Sequence, residues 1–302
     1  MDTMKQPIGR FAPSPSGRMH LGNAFSFLIA WLSVKSRGGS MVLRMEDLDT
    51  QRCKEEYALA IRQDLKWLGL TWDAEMPRQS GRTQVYEEYF RILQEKDLLY
   101  PCYCTRAQLH SVNAPHLSDG TYLYAGACRN LTPAQQAAFQ KDPAWRVKVP
   151  DRKWIVEDKL QGTYEENLMY DCGDFVVRRS DGLFVYQLAV TVDDGLAGVT
   201  EVVRGTDLLS SAPRQMYLQE LFGFKQPEYG HVPLLVAPDG RRLSKRDQDM
   251  DLGYLQNHTT AEKLIGALAH ACGLIPTAKP ISAEELLGEF AWEKLQQEPI
   301  RF

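Results

Sequence analysis

The chain is poor in several things, and each shortage closes off a class of protein. Its start, Met1-Asp2-Thr3-Met4-Lys5-Gln6, carries no apolar stretch of the kind that leads a secretory signal. Its longest greasy run, Ala24 to Val34, is broken by Ser26 and Ser33 and falls short of the ~20 residues that span a bilayer. The six cysteines, at positions 53, 102, 104, 128, 172 and 272, are too sparse for a secreted disulfide framework. A reducing cytoplasm is therefore expected, with no membrane partner. Excess positive charge is missing as well: a net charge of -4 excludes a surface coated in positive potential, though not a local basic groove. No repeat or low-complexity tract is visible. What is present is ordinary for a globular protein, with 44% hydrophobic and 25% charged residues over 302 positions. That length suits one large domain or two to three modules, each with a real core.

Ile8 to Phe11 reads as a strand, followed by the turn Ala12-Pro13-Ser14-Pro15-Ser16-Gly17 and a helix from Leu21 to Val34 ended by Gly38-Gly39. Met41 to Met45 reads as a second strand that runs into Glu46-Asp47-Leu48-Asp49, and Cys53 to Leu68 has helical periodicity capped by Gly69. This alternation predicts βαβ units and a parallel sheet. Arg82 to Lys96 is a further amphipathic helix. From about residue 99 to 185 the character changes, with cysteines, turn signals and the short β-like runs Trp145 to Val149 and Asp174 to Arg178, as in an insertion. Phe184 to Val192, Gly198 to Val203 and His231 to Val236 read as strands, and Pro213 to Phe222 as a helix. Near the C-terminus helices are expected over Thr260 to Cys272 and from Ser282, where Ser282 and Glu285 have capping-box spacing.

Three groups of residues carry chemistry. His20-Leu21-Gly22-Asn23 stands where a strand and turn give way to a helix, whose free N–H groups and positive dipole end suit phosphate. His20 and Asn23 can reach one ligand from one turn, and Gly22 admits a flat base close to the backbone. Leu243-Ser244-Lys245-Arg246 follows Arg241 and Arg242 on a glycine-hinged loop, four cations in six residues that can neutralise a triphosphate. Taken singly, the first motif is more often a helix cap and the second a solvated basic loop. Cys102-Tyr103-Cys104 and Cys128 supply three thiolates, one short of the tetrahedral set that zinc prefers. His110, His116, Tyr122 and Tyr124 lie between them, and coordination chemistry alone favours a histidine.

Taken together and in order, these segments resemble the class I aminoacyl-tRNA synthetases, in the branch that uses glutamate or glutamine. The resemblance rests on Arg10-Phe11-Ala12-Pro13-Ser14-Pro15-Ser16-Gly17-Arg18-Met19-His20-Leu21-Gly22-Asn23, Arg44-Met45-Glu46-Asp47-Leu48-Asp49, Tyr186-Gln187-Leu188-Ala189, Val203-Arg204-Gly205-Thr206-Asp207-Leu208 and Leu243-Ser244-Lys245-Arg246. It implies a Rossmann-type α/β fold whose parallel sheet is split by a zinc-containing insertion, with a short helical C-terminal region. The expected division is 1–98 and 184–247 as the two halves of the catalytic domain, 99–183 as the tRNA-facing insertion, and 248–302 as the helical tail. The family joins an amino-acid carboxylate to the α-phosphate of ATP, with Mg²⁺ accompanying the nucleotide. By the resemblance, His20, Asn23 and Lys245 act in catalysis, and His20, Gly22, Asn23, Ser244 and Lys245 hold ATP. Arg10, Phe11, Ala12, Pro13, Ser14, Glu46, Tyr186 and Arg204 hold L-glutamate, with Glu46 facing the ammonium and the two arginines the carboxylates. It also favours Tyr124 as the fourth zinc ligand beside Cys102, Cys104 and Cys128. Asn23 replaces the second histidine familiar from other class I enzymes and keeps a donor and an acceptor.

Only 57 residues follow Lys245. This is short for the anticodon-reading region of full-length glutamate enzymes, and resembles the family of glutamyl-queuosine tRNA(Asp) synthetases. The implied acceptor is then the queuosine base in the anticodon of tRNA(Asp), with Arg178, Arg179, Arg241 and Arg242 as candidate phosphate contacts. Three other readings compete: an enzyme charging a tRNA 3′ end, a non-catalytic zinc-containing tRNA-binding module, and, more distantly, another nucleotidyltransferase that forms an adenylate with a small acid. A monomer is the default expectation.

Overall fold

Gly9 sets how closely the first helix lies on the first strand: a Cβ there would stand 2.5 Å from Val34 Cγ2. Strand β1 (Ile8–Phe11) and helix α1 (Leu21–Lys35) consequently pack with every residue from Phe27 to Val34 buried. The computed structural model describes residues 6–105, 108, 123–237, 239–241 and 251–302. Leu243 to Arg246, Arg242, His110, His116 and Tyr122 lie outside the described residues.

β1 pairs in parallel with β2 (Ser40–Leu43), and β2 with β3 (Ala74–Glu75) after helix α2 (Glu55–Trp67). On its other side β1 meets the start of β9 (Glu201–Gly205), where Thr200 N–H donates to Ile8 O and Ile8 N–H to Thr200 Oγ1, each at 2.9 Å. β9 pairs in parallel with β10 (Glu228–Val232), the two joined through α6 (Ser211–Phe222). Parallel strands from before and after the middle segment are thus brought side by side.

The middle segment contributes to two sheets. β4 (Leu99–Cys102), β5 (Ala144–Val147) and β8 (Phe175–Arg178) form an antiparallel sheet, after helix α3 (Thr83–Glu95) and with the short helix α4 (Pro133–Ala137) between β4 and β5. The hairpin of β6 (Lys153–Asp158) and β7 (Gly162–Asn167) instead joins the edge of the parallel sheet, pairing Asp158 with Tyr229. Its sequence carries the signal, since burial alternates strictly along β6, but the hairpin is not among the strands expected from the sequence.

Three expectations are corrected. Phe184 to Val192 is for the most part helix α5 (Tyr186–Leu196), not a strand. Leu188 to Asp194 are buried on every side, so no helical period shows, and Val190-Thr191-Val192 imitates a strand. Ser282 starts only a single tight turn over Glu285–Gly288, although its box closes: Ser282 N–H and Oγ–H donate to the Glu285 carboxylate at 2.8 and 2.7 Å. The strand expected over His231 to Val236 divides at Pro233 into the end of β10 and β11 (Leu235–Val236). β11 pairs with β12 (Ile300–Arg301), and α7 (Leu252–Leu255) and α8 (Ala261–Ala271) lie between them in sequence. No described helix is long and apolar enough to cross a membrane.

Candidate active site

The ends of β1, β2 and β9 and the start of α1 surround a cavity of about 520 Å³. Open α/β sheets place ligands at this edge, beyond the carboxyl ends of their strands. Arg10, Ala12, Pro13, Ser14, His20, Gly22, Asn23, Glu46, Tyr186 and Arg204 all line it. Phe11 is not among the lining residues: its side chain is fully buried and meets Phe27 edge-on at 5.3 Å. A second cavity of about 350 Å³ shares Ser14, Ser16, Glu46 and Tyr186 with the first and continues past Asp49, Arg52 and Arg179.

The polar groups are held by a buried ionic network. Arg44, with no solvent exposure, reaches Glu46 Oε1 at 2.9 Å and Asp194 Oδ1 at 2.5 Å, and lies 3.7 Å from Asp193. Asp194 also stands 3.5 Å from Arg10 Nε. Asp193 accepts in turn from Gln79, Arg82 and Tyr86 at 2.8, 2.8 and 2.9 Å. Burial works against the charge on Arg44, and its three carboxylate neighbours overcome that and raise its pKa. Burial raises the pKa of Glu46, while Arg44 draws it back down. The sequence alone points to no role for Arg44, Asp193 or Asp194. Their signal was charge placed inside otherwise apolar runs, which is costly unless paired.

Arg10 Nη1 donates to Val203 O at 3.0 Å, tying β1 to β9. Arg204 spends Nη1 on Gln215 Oε1 at 2.8 Å and on Tyr186 Oη at 3.4 Å, and Nε on His231. Its Nη2 is buried and has no hydrogen-bond partner among the described residues. A buried guanidinium donor at a cavity wall is a place for an acceptor, and a carboxylate suits it best.

His20 stands at the start of α1, where Asn23 Oδ1 accepts from His20 N–H at 3.4 Å. A Cβ on Gly22 would come within 3.2 Å of the His20 ring, so the glycine gives that imidazole its room. Arg18, at the same cavity, lies 3.4 Å from both Asp64 and Asp251. Asp64, desolvated in this contact, is pushed up to about 6. Of the basic residues expected to meet phosphate, Arg178 pairs with Glu87 at 3.4 Å, Arg179 with Asp181 at 2.6 Å and Arg241 with Asp239 at 2.6 Å.

Away from the cavity, the sulfurs of Cys102, Cys104 and Cys128 lie within 4.8 Å of one another. Tyr124 Oη stands 3.6 Å from Cys102 Sγ and 4.0 Å from Cys104 Sγ, and Cys104 Sγ lies 3.6 Å from Cys128 Sγ. A zinc–sulfur bond of ~2.3 Å in a tetrahedron separates ligand atoms by roughly 3.8 Å, so this spacing fits a metal ion. Gly173, at φ +72°, leaves room for the Tyr124 backbone, whose carbonyl oxygen a Cβ would approach to 2.5 Å. The Arg146 guanidinium carbon lies 3.7 Å above the centre of the Tyr124 ring, and its Nε is 3.3 Å from Cys102 Sγ. Both contacts favour negative charge on the ligand atoms.

Residues 8–279 match the family model for the catalytic domain of class I tRNA synthetases (E and Q). A glutamyl-Q tRNA(Asp) synthetase of Nitratidesulfovibrio vulgaris is 44% identical over 97% of this chain and 94% of that protein. The chain belongs to this synthetase family. A second such relative, from Symbiobacterium thermophilum, is 43% identical over 97% of the chain and 95% of that protein. Among solved structures, a glutamate tRNA ligase from Elizabethkingia meningosepticum in complex with its amino acid superposes with a TM-score of 0.82. It is 26% identical, with 99% of this chain and 67% of that one covered. The protein is accordingly a ligase-type enzyme of the class I synthetase kind.

Proposed function

We propose that this synthetase activates L-glutamate with ATP and passes the glutamyl group to queuosine in the anticodon of tRNA(Asp). The observation that carries the amino-acid half is the unpartnered Nη2 of Arg204 at the wall that also holds Glu46. In this reading Glu46 meets the ammonium, and Arg10 and Arg204 meet the two carboxylates, with Tyr186 and Ser14 beside them. Each charge on the substrate thus finds its opposite in a site that water leaves on binding.

A carboxylate oxygen of glutamate attacks the α-phosphorus of ATP, a P–O bond forms, and pyrophosphate leaves. His20 and Asn23 hold the nucleotide, while Lys245, with Ser244 beside it, neutralises charge building on the phosphate oxygens. Mg²⁺ travels with ATP. An acceptor hydroxyl then attacks the activated carbonyl, AMP leaves, the hydroxyl proton is released, and an ester remains. The adjoining cavity past Asp49 and Arg52 supplies a way in for that acceptor.

The names of the relatives support the queuosine acceptor. Cys102, Cys104, Cys128 and Tyr124 would hold one zinc ion, which braces the segment 99–183 on the side facing tRNA. The division of the chain into catalytic halves 1–98 and 184–247 and a tail 248–302 belongs to this same reading. Pyrophosphate exchange with a panel of amino acids, without tRNA, tests the first half. Exchange with glutamate alone supports it; exchange with glutamine at an equal rate removes it.

A further inference from the structure

We propose that His231 is a positioning residue for amino-acid recognition, acting on Arg204 and itself fixed by Asp158. The inference deepens the glutamate reading and rests on Arg204 meeting a substrate carboxylate. His231 and Arg204 are directly opposed partners on neighbouring strands β10 and β9. Asp158 ends β6, the next strand over, so the three side chains cross three adjacent strands.

The chemistry of the neighbours leaves one tautomer. The carboxylate of Asp158 accepts from His231 N–H at 3.1 Å, Leu160 N–H at 3.0 Å and Gln161 N–H at 2.9 Å, which fixes its plane. Its Oδ2 lies 2.6 Å from His231 Nδ1. A carboxylate that only accepts puts the imidazole proton on Nδ1, and Nε2 then presents a lone pair. Arg204 Nε, which can only donate, meets that lone pair at 3.0 Å. With Nη1 occupied by Gln215 and Tyr186, the guanidinium is held at two of its three nitrogens, leaving buried Nη2 as its one donor without a partner among the described residues. The Tyr229 ring lies nearly parallel to the imidazole of His231, with centroids 5.9 Å apart and 16° between the planes.

His231 therefore does not touch the substrate; it sets the plane in which Arg204 presents its free N–H. Asp158 comes from the middle segment of the chain, so the strand added there contributes to amino-acid affinity. Loss of this acceptor frees the guanidinium to rotate and leaves a buried donor unsatisfied, which weakens glutamate without touching ATP.

The test is glutamate-dependent pyrophosphate exchange by the full chain and its variants His231→Phe, His231→Gln and Arg204→Ala. His231→Phe keeps a flat ring and removes the acceptor; the KM for glutamate is expected to rise ~10- to 100-fold, with the KM for ATP within about twofold of the parent. His231→Gln, whose amide can accept from Arg204 and donate to Asp158, is expected to recover most of that loss. In the Arg204→Ala background the His231 substitution is expected to add almost nothing. An unchanged glutamate KM in both His231 variants, equal rises for both substrates, or additive effects with Arg204→Ala overturn the relay. If Arg204→Ala itself leaves the glutamate KM unchanged, the glutamate reading of Arg204 falls, and the relay with it.

Discussion

Arg44, sealed from solvent, holds the carboxylate of Glu46 at 2.9 Å. The contact gives the largely buried Glu46 carboxylate a cation, from a residue that is itself sealed from the cavity. Replacing Arg44 by Met leaves Glu46, Asp193 and Asp194 without their shared cation. Removing one partner of a buried pair costs about 3–5 kcal/mol. Urea denaturation is expected to show a loss of that size, together with weakened glutamate binding. A variant as stable as the parent would show that Arg44 is not the keystone of this network.

Arg10 and Glu46 face the cavity from β1 and from the loop after β2. Arg10→Ala and Glu46→Gln should each raise the glutamate KM in pyrophosphate exchange by ~30-fold or more, the scale for cutting one partner from a desolvated charge pair. Lys245→Ala should instead lower kcat by ~100-fold with little change in glutamate KM, since its contact strengthens as charge develops on phosphate. A KM effect at Lys245 with unchanged kcat would assign it to ground-state binding.

Much of this was legible in the sequence, and the exceptions have physical causes. β1 falls at Ile8–Phe11 as expected, and α1, α2, α3 and α8 lie within a residue or two of their expected ends. Each has either an apolar stripe or a clear stop such as Gly69, which takes φ +71°. α5 was read as a strand because burial on all faces erases periodicity. The cavity residues were found as motif members, but what holds them was not. Asp158 and His231 are 73 positions apart, and nothing local marks either as a partner of the other. Asp193 and Asp194 lay in plain view as adjacent acids after an apolar run, without a role until the fold brought Arg44 to them.

Burial holds the pKa of His231 at about 4, below its ordinary 6.5, against the pull of Asp158. A base depressed in the folded state binds fewer protons there than in the unfolded chain between these two values. Stability therefore rises with pH from 4 to 6.5 and is lost as pH falls through that window, by about 3 kcal/mol for this group. Melting of the parent and of His231→Gln across pH 4 to 7 reads this directly. The variant should show a flatter slope, and parallel curves would remove His231 as the cause.

The cysteine cluster predicts one zinc per chain in protein purified without added metal. Cys104→Ser should lower the metal content and the melting temperature together. Tyr124→Phe, which keeps the ring under Arg146 but removes the oxygen, should weaken zinc retention against a chelator. Metal-free protein with an unchanged melting temperature would leave three reduced structural thiols instead.

The most direct test of the account is transfer of labelled glutamate to purified tRNA. Aspartate tRNA carrying queuosine should be labelled, aspartate tRNA lacking queuosine should not, and glutamate tRNA should stay unlabelled at its 3′ end. Labelling of queuosine-free aspartate tRNA, or of glutamate tRNA at its 3′ end, would contradict the proposed acceptor even if activation of glutamate stands.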